Sequence, residues 1–197
     1  MASRNRKKLA ELSRVLDAAG ITGLELLTLD DVAPYDEAPE TGATFEDNAI
    51  AKARDGFAAT GIATLADDSG LEVAALNDMP GVLSARWAGG HGDDAANYTL
   101  LLAQLRDVPD ERRGAAFVSA CALVTGPDDV TVVRGEWPGM IAREPLGDNG
   151  FGYDPVFVPE GGTGSAAQLS PADKDAVSHR GRALALLVPA LRALARG

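Results

Sequence analysis

A stretch in the first half of the chain strongly limits what the protein can fold into. Residues 61–66, Gly-Ile-Ala-Thr-Leu-Ala, form a short apolar run that predicts a buried β-strand. Asp67, Asp68, Ser69 and Gly70 follow directly. Alone, such a cluster is most often a polar turn. We expect carboxylates at the exit of a strand, where a rigid backbone can hold a metal-binding group and the glycine lets the chain turn.

The size and charge of the chain exclude several classes of protein. Its 197 residues, 46% apolar and 24% charged, are typical of a soluble globular protein, and residues 1–197 are enough for one large domain or two intimate lobes, with no linker between them. The formal charge of -11 argues against a nucleic-acid-binding surface. No apolar span is long enough to cross a membrane. The single cysteine, Cys121, excludes a disulfide framework, and we expect it to be buried in a cytoplasmic protein.

Hydrophobic periodicity predicts an alternation of helices and strands. Helices are expected over residues 6–19, 44–60, 94–105 and 180–195, with a further helix start at residues 170–173. Strands are expected over residues 24–29, 61–66, 71–76, 115–125, 130–137, 140–143 and 156–158, whereas residues 77–93 look irregular. Residues 126–129 predict a four-residue turn that joins two of these strands, 115–125 and 130–137, into a hairpin. The order predicts an α/β fold with a mixed sheet.

Four acids provide the candidate metal ligands: Glu40, Asp67, Asp68 and Glu72. Oxygen donors without cysteine or nearby histidine suit Mg²⁺, with Mn²⁺ as an alternative. Asp68 and Glu72 could equally be solvated acids. The sequence has no motif for a covalent nucleophile, so a metal-activated water is the better fit for hydrolysis.

Three further polar clusters predict contacts to a ligand. The basic residues of segment 3–8 precede a helix and could cradle a phosphate, or could be a solvated helix start. Phe151, in the loop of residues 150–155, could stack on a planar base or cover the core. Arg180, after His179, could donate hydrogen bonds to a carbonyl oxygen of a base, or could lie in solvent.

Together these segments resemble the inosine triphosphate pyrophosphatase family over nearly the whole chain. The matching motifs are Ser3-Arg4-Asn5 with Lys8, Glu40-Thr41-Gly42-Ala43-Thr44-Phe45 with Asn48-Ala49 and Lys52-Ala53, Ala66-Asp67-Asp68-Ser69-Gly70-Leu71, Pro80-Gly81-Val82, Ser84-Ala85-Arg86, Gly150-Phe151-Gly152-Tyr153-Asp154-Pro155, and Ser178-His179-Arg180-Gly181. Each motif is weak alone, but their order and spacing are specific.

The resemblance implies a long mixed β-sheet with flanking helices, forming two lobes around a central cleft, and a homodimer. It also implies Mg²⁺-dependent hydrolysis of ITP, dITP and XTP to the monophosphate and pyrophosphate. By resemblance, Glu40 and Asp68 serve the metal, and Asp68 is also the general base. The residues that the resemblance places on substrate are Ser3, Asn5, Lys8, Ser69, Phe151, Gly152, Tyr153, Asp154, Lys174, His179 and Arg180.

Two features depart from the family pattern. Members usually have a short apolar strand before the N-terminal motif, so we expect either that the chain starts upstream of Met1 or that this strand is missing. Ser3 stands where threonine is commoner, and Lys7 where a small residue is usual. Two alternative functions are a pyrophosphatase for pyrimidine or methylated nucleotides and a nucleotide sensor without turnover.

Overall fold

The chain folds into two compact units, each with its own hydrophobic core. The computed structural model describes residues 1–36, 39–170, 173–174 and 177–196. The first unit comprises Met1–Asp68, Ser119–Gly135 and Arg180–Gly197, and the second comprises Ser69–Val118 and Glu136–His179. Among the described residues, no helix is both long and apolar enough to cross a membrane.

Three helices build the first unit in the part of the chain that the structure describes. Helix α1 is Arg6–Ala18, and the Asn5 side chain caps it by accepting the backbone N–H of Lys7. Helix α2 is Phe45–Thr60; Thr44 and Asp47 form a capping box at its start, and Gly61 ends it in the left-handed conformation. The third is His179–Leu194, labelled α4 because helix α3 of the second unit precedes it in sequence. Its buried Leu184, Leu187 and Leu191 pack with Leu12 and Leu16 of α1.

The second unit packs helix α3, Asp94–Gln104, against an aromatic core. Phe117 lies against Trp137 and Phe157, with ring centroids 6.3 and 4.6 Å apart. Leu101 of α3 is fully buried in the same core. The buried Leu101 therefore anchors α3 to the core of this unit.

A five-stranded sheet has the order β2-β1-β3-β4-β5. The strands are β1 Thr64–Val73, β2 Met79–Pro80, β3 Gly114–Val124, β4 Val130–Ile141 and β5 Phe157–Pro159. The edge pairs β1–β2 and β4–β5 are antiparallel. The predicted α/β class, with a sheet and flanking helices, is confirmed. The prediction of a mixed sheet finds no parallel pair at these two edges, where both pairs are antiparallel.

Several element predictions were wrong. The strands expected over residues 61–66 and 71–76 are one strand, β1, because the backbone stays extended through the acids, and residues 74–76 form a short 3-10 helix. The strand expected over residues 24–29 is not one of the five. That segment instead hydrogen-bonds to the N-terminus, since Leu27 O accepts from the Met1 amine and Leu29 N donates to Ser3 O.

Other predicted boundaries shifted. Residues 140 and 141 of the expected edge strand continue β4, and residues 77–93 contain β2 and a 3-10 helix, Gly81–Arg86. At the helix start expected over residues 170–173, Ser170 Oγ accepts from Asp173 N, while residues 171 and 172 lie outside the described residues. The four long helices and the hairpin of β3 and β4 are confirmed.

Candidate functional site

The two adjacent acids of strand β1 bind different partners. Asp67 and Asp68 lie in mid-strand and not at a strand exit, which corrects the prediction from sequence. Successive side chains of a strand point to opposite faces. Asp67 pairs with Lys8 and Arg180, and Asp68 with Asn48 and Lys52. The two acids therefore have different chemistry.

Asp67 is a buried carboxylate between two cations. Lys8 Nζ lies 2.9 and 2.8 Å from its two carboxylate oxygens, and Arg180 donates from Nε and Nη2 to Oδ2 at 3.1 Å each. Arg180 Nη1 also lies 3.7 Å from Glu11. Only 2% of the Asp67 side chain is exposed, so its charge depends on these partners.

The cations decide the protonation state of Asp67. Burial alone would raise its pKa, but the charges of Arg180 and Lys8 outweigh burial and lower the pKa from 3.8 to about 2. Asp67 therefore stays ionised, and so low a pKa makes it a weak proton acceptor.

The Asp67 carboxylate should make the free energy of unfolding depend on pH in the acid range. Because its pKa is lower in the folded chain, Asp67 stabilises the fold fully above about pH 4, and the contribution of about 2 kcal/mol is lost as the pH falls towards 2. The free energy of unfolding in urea, measured from pH 5 to pH 2, tests this. Asp67→Asn should flatten the pH slope, whereas Asp128→Asn in the exposed hairpin turn should leave it unchanged.

Asp68 lies in a more adaptable environment formed by α2. Asn48 Nδ2 donates to its Oδ2 at 2.9 Å, and Lys52 Nζ lies 3.3 Å from its Oδ1. Asn48 and Lys52 are four residues apart, so they share one face of the helix. Asn48 Oδ1 also accepts Gly42 N at 2.8 Å, and a Cβ on Gly42 would lie 2.6 Å from that oxygen. The glycine thus lets the loop after Glu40 close onto α2.

Glu40 joins the same cluster through Lys52, whose Nζ lies 2.5 Å from Glu40 Oε1. Burial raises the pKa of Asp68, Lys52 and Asn48 oppose this shift, and the charge of Glu40 adds to it. A raised pKa makes Asp68 a better proton acceptor than Asp67.

The acids of this cluster fit a hard divalent cation. The Glu40 and Asp68 oxygens converge on one positive charge, the Lys52 ammonium. No group of three or more metal-ligating side chains was found within residues 1–36, 39–170, 173–174 and 177–196. One or two carboxylates, completed by water and phosphate oxygens, are what Mg²⁺ usually takes from a protein.

The N-terminal segment has the predicted helix start. Asn5 uses its side-chain oxygen for the cap of α1, and its backbone N–H donates to Ser3 Oγ at 3.1 Å. Ser3 and Asn5 thus stabilise the first turn, and Lys8 lies one turn on with Asp67. Ser69, the other predicted contact in this region, is half-buried in β1.

Arg180 binds a buried acid in this structure. Its Nε and Nη2, which the sequence interpretation directed at a carbonyl oxygen of a base or at solvent, donate to Asp67. A buried carboxylate attracts a guanidinium strongly because little water screens the pair. The arrangement favours a role in neutralising Asp67 over one in reading a base. Its neighbour His179 stacks on Phe117, 5.2 Å between centroids.

In the second unit, Phe151 is an exposed aromatic on a fixed loop. Its side chain is 69% exposed, and Lys174 Nζ lies 4.7 Å from the ring centroid. The buried Asp154 accepts Phe151 N at 2.8 Å and forms an ion pair with Lys174. A Cβ on Gly150 would clash with that carboxylate, so the glycine permits the turn.

Tyr153 and Gly152 support this loop. Tyr153 is buried, and its hydroxyl donates to Ser84 O at 2.9 Å. Burial, with the nearby charge of Asp94, raises the pKa of Tyr153, which therefore stays protonated. Gly152 N donates to Asp94 Oδ2 at 2.6 Å. Tyr153 and Asp154 are thus held by protein partners, and the Phe151 ring is exposed, whereas the Lys174 side chain beside it is only 15% exposed.

Sequence reasoning named Asn48 and Lys52 only as parts of a matching motif, without a role in the site, and did not name Asp94. A role for Asn48 and Lys52 could have been found, because their spacing puts them on one face of a capped helix. Asp94 had no such signal, since the contact to Gly152 spans 58 residues of sequence.

Comparisons with known proteins identify the family of this chain. A family model described as the Ham1 family matches residues 1–190. A dITP/XTP pyrophosphatase of Mycolicibacterium paratuberculosis is 79% identical over 197 residues, covering 100% of this chain and 96% of that protein. A dITP/XTP pyrophosphatase of Mycobacterium tuberculosis is 78% identical with the same coverage.

Solved structures show the same fold. The crystal structure of a nucleoside-triphosphatase, dITP/XTP pyrophosphatase, from Mycobacterium abscessus has a TM-score of 0.84 and 70% identity, covering 97% of each chain. A Staphylococcus aureus Ham1 protein has a TM-score of 0.88 and 36% identity, covering 98% of this chain and 96% of that one.

With fold, site and full-length relatives together, the class is defined as a hydrolase, a nucleoside triphosphate pyrophosphatase. The chain belongs to the Ham1 family. This confirms the family resemblance expected from the motifs.

Proposed function

We propose that this chain hydrolyses non-standard purine nucleoside triphosphates, ITP, dITP and XTP, to the monophosphate and pyrophosphate, with Mg²⁺. The names of its close relatives support the substrate class. The observation that carries the mechanism is the Asp68 carboxylate, whose pKa burial raises, beside Glu40 and Lys52.

We assign the triphosphate and its metal to residues of the first unit. Ser3, Asn5 and Lys8, at the start of α1, would bind phosphate oxygens through hydroxyl, amide and ammonium groups. Glu40 and Asp68 would hold Mg²⁺, which when bound polarises the phosphates and lowers the pKa of a bound water. Mn²⁺ fits the same oxygen donors.

Asp68 would take the proton from the attacking water. Lys52, which lies 3.3 Å from Asp68, balances the negative charge of the two acids before substrate arrives and can then pair with a phosphate. Ser69, next along β1, would contact substrate. Asp67 keeps Lys8 and Arg180 in place and takes no part in proton transfer.

We assign the purine to Phe151 and Lys174. Phe151 offers an exposed face for stacking, and Lys174 carries a positive charge beside it. Gly152, Tyr153 and Asp154 would shape this contact by fixing the loop, and His179 by its stacking on Phe117. The homodimer and the cytoplasmic location stay predictions.

The product of the reaction tests the proposal. Hydrolysis between the first and second phosphates should release pyrophosphate directly together with IMP when ITP is the substrate. Phosphorus NMR of the purified protein with ITP, XTP, GTP and ATP plus Mg²⁺ distinguishes the products. If orthophosphate and IDP come first, the proposal is wrong.

The same panel separates the alternatives. Faster turnover of pyrimidine or methylated triphosphates would favour the first alternative. Binding without turnover would favour a nucleotide sensor. A matched preparation without the protein measures hydrolysis by contaminants.

A further inference from the structure

The first turn of α3 holds the loop that carries Phe151. Asp94, the first residue of the helix, accepts the backbone N–H of Gly152 on Oδ2 at 2.6 Å. The two residues are 58 positions apart in sequence. A carboxylate acceptor makes this a charge-assisted hydrogen bond, stronger than one between neutral groups.

A second carboxylate holds the preceding amide. Asp154 Oδ2 accepts Phe151 N at 2.8 Å. Two consecutive backbone N–H groups are therefore bound by two acids, one in the loop itself and one on α3. The Phe151 ring stays 69% exposed above this fixed backbone, as suits a preformed surface for a planar ligand.

Asp94 is not needed to cap its own helix. The neighbouring Asp93 is the N-cap of α3 and accepts Ala96 N at 2.9 Å. The helix is anchored independently, because Leu101 is fully buried and Asn97 Oδ1 accepts Ala88 N at 2.7 Å. The Asp94 carboxylate thus links the loop to a rigid element.

We propose that Asp94 is a positioning residue for purine binding, acting through Gly152 to hold the Phe151 ring in its stacking position. This inference rests on the proposed function. A loop that must be ordered when the nucleotide binds loses affinity, whereas a loop fixed beforehand does not. The proton transfer at Asp68 does not involve this loop, so Asp94 affects KM and not kcat.

Steady-state kinetics with dITP and Mg²⁺ test the proposal. Asp94→Ala should raise KM roughly 3- to 10-fold with kcat within about twofold, as expected for one exposed hydrogen bond. Asp94→Asn keeps an acceptor oxygen and should restore most of the loss. Asp93→Ala is the matched control: it removes the helix cap and lowers thermal stability but should leave KM unchanged.

A double-mutant cycle asks whether Asp94 acts through Phe151. In a Phe151→Ala background, Asp94→Ala should change KM by less than about twofold, because the group it positions is gone. The full single-mutant effect in that background would overturn the inference. So would a KM increase of the same size in Asp93→Ala.

Amide hydrogen exchange on the ligand-free full chain separates this inference from the proposed function. Gly152 N–H should exchange about tenfold faster or more in Asp94→Ala than in the unaltered protein, and Ala88 N–H at the same rate in both. Equal Gly152 exchange overturns the inference at any level of activity. A protein that hydrolyses none of the triphosphates but shows the Gly152 change overturns the proposed function and leaves the hydrogen-bond role of Asp94 standing.

Discussion

Asp68→Asn is expected to lower kcat for dITP by roughly 10²-fold or more, the range for losing a general base together with a metal ligand. Asparagine is close in shape and keeps an oxygen towards Lys52, so the fold should survive. Nucleotide binding in the absence of metal should change little. Steady-state rates with Mg²⁺ and equilibrium binding without it measure the two effects separately.

Glu72→Gln is the matched control for this change. Glu72 is an acid on the same strand, in register with Pro80 of β2, and with Asp67 it is one of the two acids next considered as the base if Asp68 is not. Its replacement should leave kcat within about threefold, as is usual for a change outside a reacting site. Asp68 is not the base if Asp68→Asn keeps more than a tenth of the activity of the unaltered protein and Glu72→Gln keeps less than a tenth.

Local signals in the sequence were enough for most helices. A helix was expected over residues 44–60 and is α2, Phe45–Thr60; Thr44 and Asp47 form a capping box at its start, and Gly61 ends it. The turn between β3 and β4 was also predicted, since Thr125 N donates to Asp129 O. These features depend on neighbours within a few residues, which a single sequence displays directly.

The course of β1 could not be predicted in the same way. Acids and a glycine in succession normally favour a turn. Here the strand continues because Leu71 and Val73 are buried in the core of the second unit, and because the acids find cations elsewhere in the chain. Both reasons are tertiary, and they override local preference.

In the candidate site too, the residue types can be predicted from sequence, whereas the tertiary contacts cannot. The residue types at Lys8, Asp68 and Phe151 are enough, from the sequence alone, to indicate phosphate, metal and base chemistry. The partners of site residues do not follow from the sequence, because the contacts join distant parts of the chain. Lys8 and Asp67 are 59 residues apart, and Arg180 and Asp67 are 113 residues apart. The physical role of Arg180 therefore depends on a partner that its neighbours in the chain do not reveal.

Arg180→Ala should lower the stability of the protein and its activity on every triphosphate together. It removes one of two cations from the buried Asp67, and uncompensated buried charge costs about 3 kcal/mol. Lys8 would then be drawn more tightly to Asp67 and become less available to phosphate. We expect kcat/KM for ITP and for ATP to fall by similar factors, leaving their ratio within about threefold, because the Arg180 donors are directed at Asp67.

Urea unfolding and kinetics with ITP and ATP measure both consequences. Arg182→Ala is the matched control, since Arg182 lies two residues along the same helix and is exposed. Its effect on stability should stay within about 0.5 kcal/mol. Arg180→Lys should recover part of the stability, because it keeps the charge but not the two-point contact. A collapse of the ITP/ATP ratio with unchanged stability would mean that the guanidinium turns from Asp67 to the 6-oxo oxygen of the base when substrate binds.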